Sequence, residues 1–166
     1  MIVNGKSLLA ASPIVGMLDR KEKAHGVTYG LSEAGYDIRI KQHVRFFPED
    51  KPEVYVWDGS EYTVKPGRFT IASAIEEFTM PPNLVGIVHD KSTWARRGLS
   101  VFNTVLEPGW NGFLTLELVY HGSEELEIPA GSGIAQVVFH ETTDQALYTG
   151  RYQGQPDMPV AAKRAE

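Results

Sequence analysis

An all-β barrel or jelly roll is the architecture this sequence predicts, and three features of the chain predict it. Apolar and polar residues alternate over short runs of strand length. Gly, Pro and Asn punctuate those runs at close intervals, with 16 glycines and 10 prolines in 166 residues. No segment carries the sustained 3.6-residue periodicity of a long amphipathic helix, so the helical and α/β layer architectures have nothing to build on. The length is that of one domain, with enough chain to enclose a core.

Residues 6–17 (KSLLAASPIVGM) suit a short helix that Pro13 interrupts. Residues 18–30 are polar and Gly-containing and read as a loop. In LSEAGYDIRI, Ile38 and Ile40 alternate with Asp37 and Arg39, a strand that opens out of a Gly turn. Val54–Trp57 and Tyr62–Val64 flank Asp58-Gly59, a dipeptide that favours a type I′ hairpin turn, and Pro66-Gly67 closes the pair. Arg68–Ile75 is a strand that Glu76–Met80 extends. Pro81-Pro82-Asn83 breaks the chain before the apolar run Leu84–Val88. From Phe113 to Tyr120 the alternation puts Phe113, Thr115, Glu117 and Val119 on one face, and Leu114, Leu116, Leu118 and Tyr120 on the other. Leu126–Ile128 and Ile134–Phe139 supply the last strands. No internal repeat is visible.

Composition excludes several function classes. Hydrophobic residues make up 42% and charged residues 22%, ordinary usage for a soluble protein. A net charge of −5 argues against binding duplex nucleic acid, which needs many Lys and Arg contacts to phosphate. The complete lack of cysteine removes disulfides, thiol nucleophiles and cysteine-containing zinc sites. The first residues lack the basic start and apolar core of a signal peptide, and no run has the length of a membrane helix. A cytoplasmic location with no membrane partner is the expectation.

The chemistry-bearing residues concentrate between Asp90 and Glu117. Lys91, Ser92, Thr93 and Arg96 combine cations, small hydroxyls and a bidentate guanidinium, which together suit an anion. The same four residues also suit a solvated turn. Glu117 sits among apolar strand-mates, where a carboxylate is costly unless paired or functional; a structural Glu is the alternative. Glu107, before Pro108-Gly109, could bind a ligand hydroxyl or simply end a turn. His25, His43, His89, His121 and His140 show no metal-site spacing. From Thr142 onwards the chain is polar, with Tyr148, Arg151, Tyr152, Gln153 and Gln155. That composition leaves two readings open, a disordered terminus or a flap that orders over a ligand.

Read together, AGYDIRI (34–40), DKSTWARRGL (90–99), LEPGWNGFLTLEL (106–118), GIAQVVF (133–139) and GRYQGQ (150–155) resemble the dCTP deaminase family of the dUTPase/dCTP deaminase superfamily. The resemblance implies a distorted jelly-roll β-barrel of the dUTPase-like, β-clip type with few short helices, assembled as a homotrimer with sites between subunits. It implies a barrel over residues 1–141, with a variable N-terminal segment (1–30), and a tail over 142–166 that closes on the site. The reaction implied is hydrolytic deamination of dCTP to dUTP and ammonia without zinc, the triphosphate carrying Mg2+. dCTP, dUTP and dTTP-type nucleotides are the implied ligands.

On the same resemblance Glu117 is the catalytic glutamate, acting as base and then acid, and Arg96 and Ser92 support the reacting centre. Arg96 would also bias the ionisation of Glu117. Lys91, Ser92 and Thr93 would cradle phosphates. Glu107 would bind the 3′-hydroxyl and Trp110 would crowd the 2′ position. Tyr148, Arg151, Tyr152 and Gln155 would form the closing segment, with Arg151 where lysine is usual. The backbone of 101–105 (VFNTV), Val105 included, would touch the base, and it differs there from the common family pattern. A bifunctional deaminase/dUTP pyrophosphatase and a plain dUTPase are the nearest alternatives. The Gly-rich terminal motif with a stacking Phe, usual in trimeric dUTPases, is absent. A non-catalytic nucleotide sensor is the remaining one, and it would have no need of Glu117 with Arg96.

Overall fold

The computed structural model describes residues 1–164. The strands are β1 (Ile2–Val3), β2 (Lys21–Ala24), β3 (Val27–Leu31), β4 (Tyr36–Arg39), β5 (His43–Phe47), β6 (Glu53–Trp57), β7 (Tyr62–Pro66), β8 (Phe69–Thr79), β9 (Leu84–Asp90), β10 (Leu99–Val101), β11 (Val105–Leu106), β12 (Asn111–Tyr120), β13 (Leu126–Ile128) and β14 (Gly133–Glu141). Two short helices, α1 (Gly5–Ala11) and α2 (Ser92–Ala95), complete the described elements. The largest sheet runs β11-β9-β14-β4-β3-β2, with β1 also on β14; a second runs β10-β12-β8 and a third β13-β5-β6-β7. All the strand pairings between named strands are antiparallel. The all-β expectation holds.

The core lies between the sheets. Ile38 and Ile40 from β4 and its end, Phe46 from β5, Phe78 from β8, Leu116 and Leu118 from β12, and Phe139 from β14 are each sealed from solvent. Burying side chains of this size contributes about 1.5–3 kcal/mol each.

β8 ties two sheets together by bending. Phe113 of β12 pairs with Glu77 whereas Thr115 pairs with Ser73, so residues 74–76 of β8 bulge opposite Leu114. The bulge lets Ala74 bridge to Ile40 and carries Glu76 to Arg39, whose Nε donates to Oε1 at 2.9 Å and whose backbone N–H donates to Oε2 at 2.9 Å. Burial pushes the Glu76 carboxyl up, against the pull of Arg39. Bulges of this kind re-aim side chains where strands change partners.

Two sequence expectations change here. Residues 18–30 are not a loop, because β2 and β3 pair as a hairpin with Ala24 opposite Val27. Its turn is His25-Gly26, both at positive φ; β2 (KEKA) is polar, whereas Val27, Tyr29 and Leu31 of β3 alternate with Thr28 and Gly30. The β6–β7 hairpin exists, but Trp57 pairs with Tyr62, so the connection is Asp58–Glu61 and not a two-residue type I′ turn. Asp58 Oδ1 holds it by accepting the Ser60 and Glu61 N–H groups at 2.8 and 3.0 Å. Along β12 the expected alternation holds, with Leu114, Leu116, Leu118 and Tyr120 all in the core, and Leu114 also edges the cavity that Thr115 and Glu117 line.

Lys91 is also not where a phosphate binder would stand. Its ammonium is paired with Asp37 Oδ2 inside the protein, the two side chains being 11% and 5% exposed. Asp37 Oδ1 accepts from Gln136 Nε2 at 3.2 Å, and Gln136 Nε2 reaches Ser32 Oγ at 2.8 Å. Trp94 donates its indole N–H to Gly133 O at 2.6 Å. These bonds join β4, α2 and β14. Removing one partner of a buried ion pair strands the other charge, at about 3–5 kcal/mol. Lys91→Ala should therefore lower the thermal midpoint sharply, and Lys91→Met combined with Asp37→Leu should recover part of the loss. Calorimetry checks both.

Candidate active site

Glu117 sits mid-way along β12, flanked by β10 and β8 and opposite Ile71. Its backbone carbonyl accepts the Phe102 N–H at 3.0 Å, which fixes the strand beneath the side chain. The carboxylate opens into a cavity of about 660 Å³. Glu117 Oε2 is buried and has no hydrogen-bond partner among the described residues. Burial pushes the carboxyl above its ordinary value, with an opposing backbone hydrogen bond at Glu117 itself. Buried oxygens are ordinarily satisfied, so an unpaired one on a cavity wall marks Glu117 as a candidate functional group.

Along β12 and β8 the cavity has two ends. Asn111 pairs with Thr79 at one end, and Glu117 with Ile71 and Val119 with Phe69 towards the other. Glu107, Trp110, Tyr148 and Tyr152 cluster at the Asn111 end, Thr115 and Gln155 lie between, and Phe69 and Lys65 lie past Glu117. Of the residues expected to bind substrate, Val105, Glu107, Trp110, Tyr148, Tyr152 and Gln155 all line this one cavity.

The turn before β12 explains why the motif reads PGWNG. Trp110 N–H donates to Glu107 O at 3.1 Å, closing a turn with Pro108 second and Gly109 third, where φ is +75°. Such a turn needs glycine at that third place. Gly112, at φ +128°, has Gln155 N only 2.5 Å from where a Cβ would be. The tail therefore lies directly on β12, with a parallel bridge from Gly112 to Gln155 and the Phe113 N–H donated to Gln155 O at 3.1 Å.

The tail is ordered against the barrel as far as residue 164; residues 165 and 166 lie outside the described residues. Tyr148 N–H donates to Pro108 O at 2.8 Å, and Trp110 Nε1 donates to Tyr152 O at 2.7 Å. Val160 N–H donates to Thr115 Oγ1 at 3.0 Å, and Lys41 Nζ meets Asp157 Oδ2 at 2.5 Å. Arg151 points away from the cavity, its Nη1 donating to Lys163 O at 2.8 Å.

Ser92, Thr93 and Arg96 are exposed on α2 and do not line the Glu117 cavity. Within one chain Arg96 contributes nothing to the ionisation of Glu117, whose shift comes from burial. Thr104, from the 101–105 segment, lines the cavity, as do Lys65, Phe69, Ile71, Thr115 and Val160–Ala162, which were not singled out in the sequence. Exposed apolar surface adjoins it: Phe69 is 48%, Phe102 50% and Val105 52% exposed, with the two phenyl rings stacked at 6.3 Å.

A family model described as dCTP deaminase-like matches residues 17–142. The chain belongs to the dCTP deaminase-like family. It is 34% identical over 145 residues to the dCTP deaminase of Protochlamydia amoebophila, covering 78% of this chain and 77% of that protein. It is 38% identical over 145 residues to the dCTP deaminase of a Sulfurovum species, again over 78% and 77%. Among solved structures it is similar to the EIAV dUTPase, with a TM-score of 0.51, 18% identity, and coverage of 84% of this chain and 92% of that one. It is also similar to a dUTPase from phage phi11 of S. aureus (TM-score 0.52, 14% identity, 80% and 89% covered), described with a structural Mg(II) ion. The structural likeness places the dCTP deaminase-like chain on the jelly-roll fold of the dUTPases.

A Cβ at Gly112 cannot coexist with the Gln155 backbone. Gly112→Ala should leave the barrel folded and free the tail, so limited proteolysis should cut near Gly150–Gln155 many times faster than in the wild type.

Proposed function

We propose that this protein hydrolyses dCTP to dUTP and ammonia, with Glu117 as the base and then the acid. The observation that carries this reading is the burial-raised Glu117 carboxylate, whose Oε2 has no partner among the described residues, in a cavity whose other end holds Glu107 and Trp110. Glu107 receives the sugar 3′-hydroxyl and the Trp110 ring limits the space beside the 2′ carbon. The base then lies towards Glu117, with Thr104 and Val105 beside it.

Glu117 takes a proton from water as the oxygen bonds to C4, passes it to N3, and delivers a second proton to the leaving amine. The missing half of the site comes from a second copy in a trimer. That copy's Arg96 and Ser92 approach Glu117 and the attacking oxygen, and its Thr93 and Ser92 hold phosphate. The exposed Phe69, Phe102 and Val105 surface suits such an interface.

Residues 142–166 act as the cover of a barrel formed by 1–141, with Tyr148, Tyr152 and Gln155 excluding water over the nucleotide. Mg2+ enters with the triphosphate and neutralises its charge; among the described residues no group of three His, Asp or Glu side chains could hold the ion. No helix of the described chain is long and apolar enough to cross a membrane, and a cytoplasmic site of action fits the nucleotide substrate.

Purified protein given dCTP and Mg2+ should release dUTP and ammonia in equal amounts, read by chromatography. dUMP with pyrophosphate would instead reveal the bifunctional activity, and hydrolysis of dUTP with inert dCTP would overturn the proposal. Glu117→Gln should bind nucleotide and lose roughly 10²–10⁴-fold in rate.

The pH profile follows from the sign of the Glu117 shift. Burial raises Glu117 within the single chain, and the Arg96 of the second copy opposes that rise, so Arg96→Gln should move the acid limb of the residual kcat/KM profile to higher pH. An acid limb that stays in place in that variant would contradict the assignment.

A further inference from the structure

Lys65 is the one cation among the residues that line the Glu117 cavity. It stands on β7 opposite Val54, and the turn at Gly67, whose N–H donates to Pro52 O at 2.7 Å, leads straight into β8. That connection puts Lys65 on the Phe69 side of Glu117, past the end where Glu107 and Trp110 lie. Lys65 is not the counter-ion of Glu117 in the free chain, because the carboxyl is shifted upward by burial with no cation acting on it.

In a pyrimidine nucleotide C4 lies across the ring from N1, the atom bonded to the sugar. With the sugar at Glu107 and Trp110, C4 points towards Glu117, and Lys65 lines the same cavity on the side of Phe69, which pairs with Val119 past Glu117. An ammonium group only donates hydrogen bonds. It has nothing to offer the C4 amino group of cytosine, itself a donor, but it can donate to an oxygen at C4.

The geometry points to Lys65 as a further donor, beside the second copy's Arg96 and Ser92, to the oxygen arriving at C4, first in the tetrahedral adduct and then in the C4 carbonyl of the product; this rests on the deaminase reading above. The step balances. Water's oxygen bonds to C4 while the C4–N3 π pair moves to N3, which takes water's first proton through Glu117. The C4–N4 bond then breaks, N4 takes the remaining hydroxyl proton and leaves as ammonia, and the oxygen becomes the carbonyl. Lys65 gives up no proton; it stabilises the charge that builds on that oxygen.

Lys65→Met keeps the chain length and removes the donor at an exposed strand position. In the full-length protein with dCTP and Mg2+, kcat should fall about ten- to a hundredfold with KM for dCTP little changed. Inhibition by added dUTP should weaken by a similar factor, and Lys65→Arg should restore most of both. Unchanged kcat and dUTP inhibition in Lys65→Met would overturn the inference, as would an equal loss of dCTP and dUTP affinity, which marks a merely structural role. A wild type that does not turn over dCTP would overturn the deaminase reading itself, and this inference with it.

Discussion

The buried pair of Lys91 and Asp37 is the constraint on which the arrangement of this molecule depends. Taking two charges out of water is costly, and the structure meets the cost with Gln136 on the second carboxylate oxygen and with Trp94 bound to Gly133 beside it. Three stretches far apart in the chain are thereby held in one register. Lys91 and Trp94 point inward because they are three residues apart on a helical turn. The same geometry turns Ser92, Thr93 and Arg96 outward. A helix that commits its inner face to the barrel presents its outer face to whatever docks there.

The glycines of the PGWNG stretch impose a second constraint. Gly109 supplies the positive φ that the turn after Glu107 requires, and Gly112 leaves room for the Gln155 backbone. The tail is consequently bound by backbone hydrogen bonds along β12 as well as by its tyrosines. Trp110 belongs to both halves, with its ring in the cavity wall and its N–H holding the Tyr152 carbonyl. The cavity wall and the tail are joined through that one indole.

Much of this was legible in the sequence, and what was not has physical causes. Period-two alternation revealed β12 and placed Glu117 on a half-buried face, because one side of that strand packs on the core. The β2–β3 hairpin stayed hidden because β2 (KEKA) is polar and its turn is His25-Gly26, although Val27, Tyr29 and Leu31 of β3 do alternate with Thr28 and Gly30. The bulge at residues 74–76 of β8, opposite Leu114, is a register shift that strand periodicity does not encode. Lys91 read as a ligand-binding cation because residue type shows charge and not the Asp37 that consumes it. Lys65 carries no local motif at all and reaches the cavity only through tertiary folding. Val160–Ala162 reach it the same way. Glu107, Trp110, Tyr148, Tyr152 and Gln155 were brought together as expected.

The central claim is that each chain carries half a site: Glu117 with its cavity on one copy, Ser92 and Arg96 on another. Mixing two inactive variants tests it most directly. Glu117→Gln and Arg96→Ala proteins, unfolded together and refolded as mixed assemblies, should regain deamination at roughly a quarter of wild-type sites, because random closed assembly reunites an intact Glu117 with an intact Arg96 in that proportion. Mixed assemblies, verified by mass, that stay as inactive as either parent would contradict the shared site.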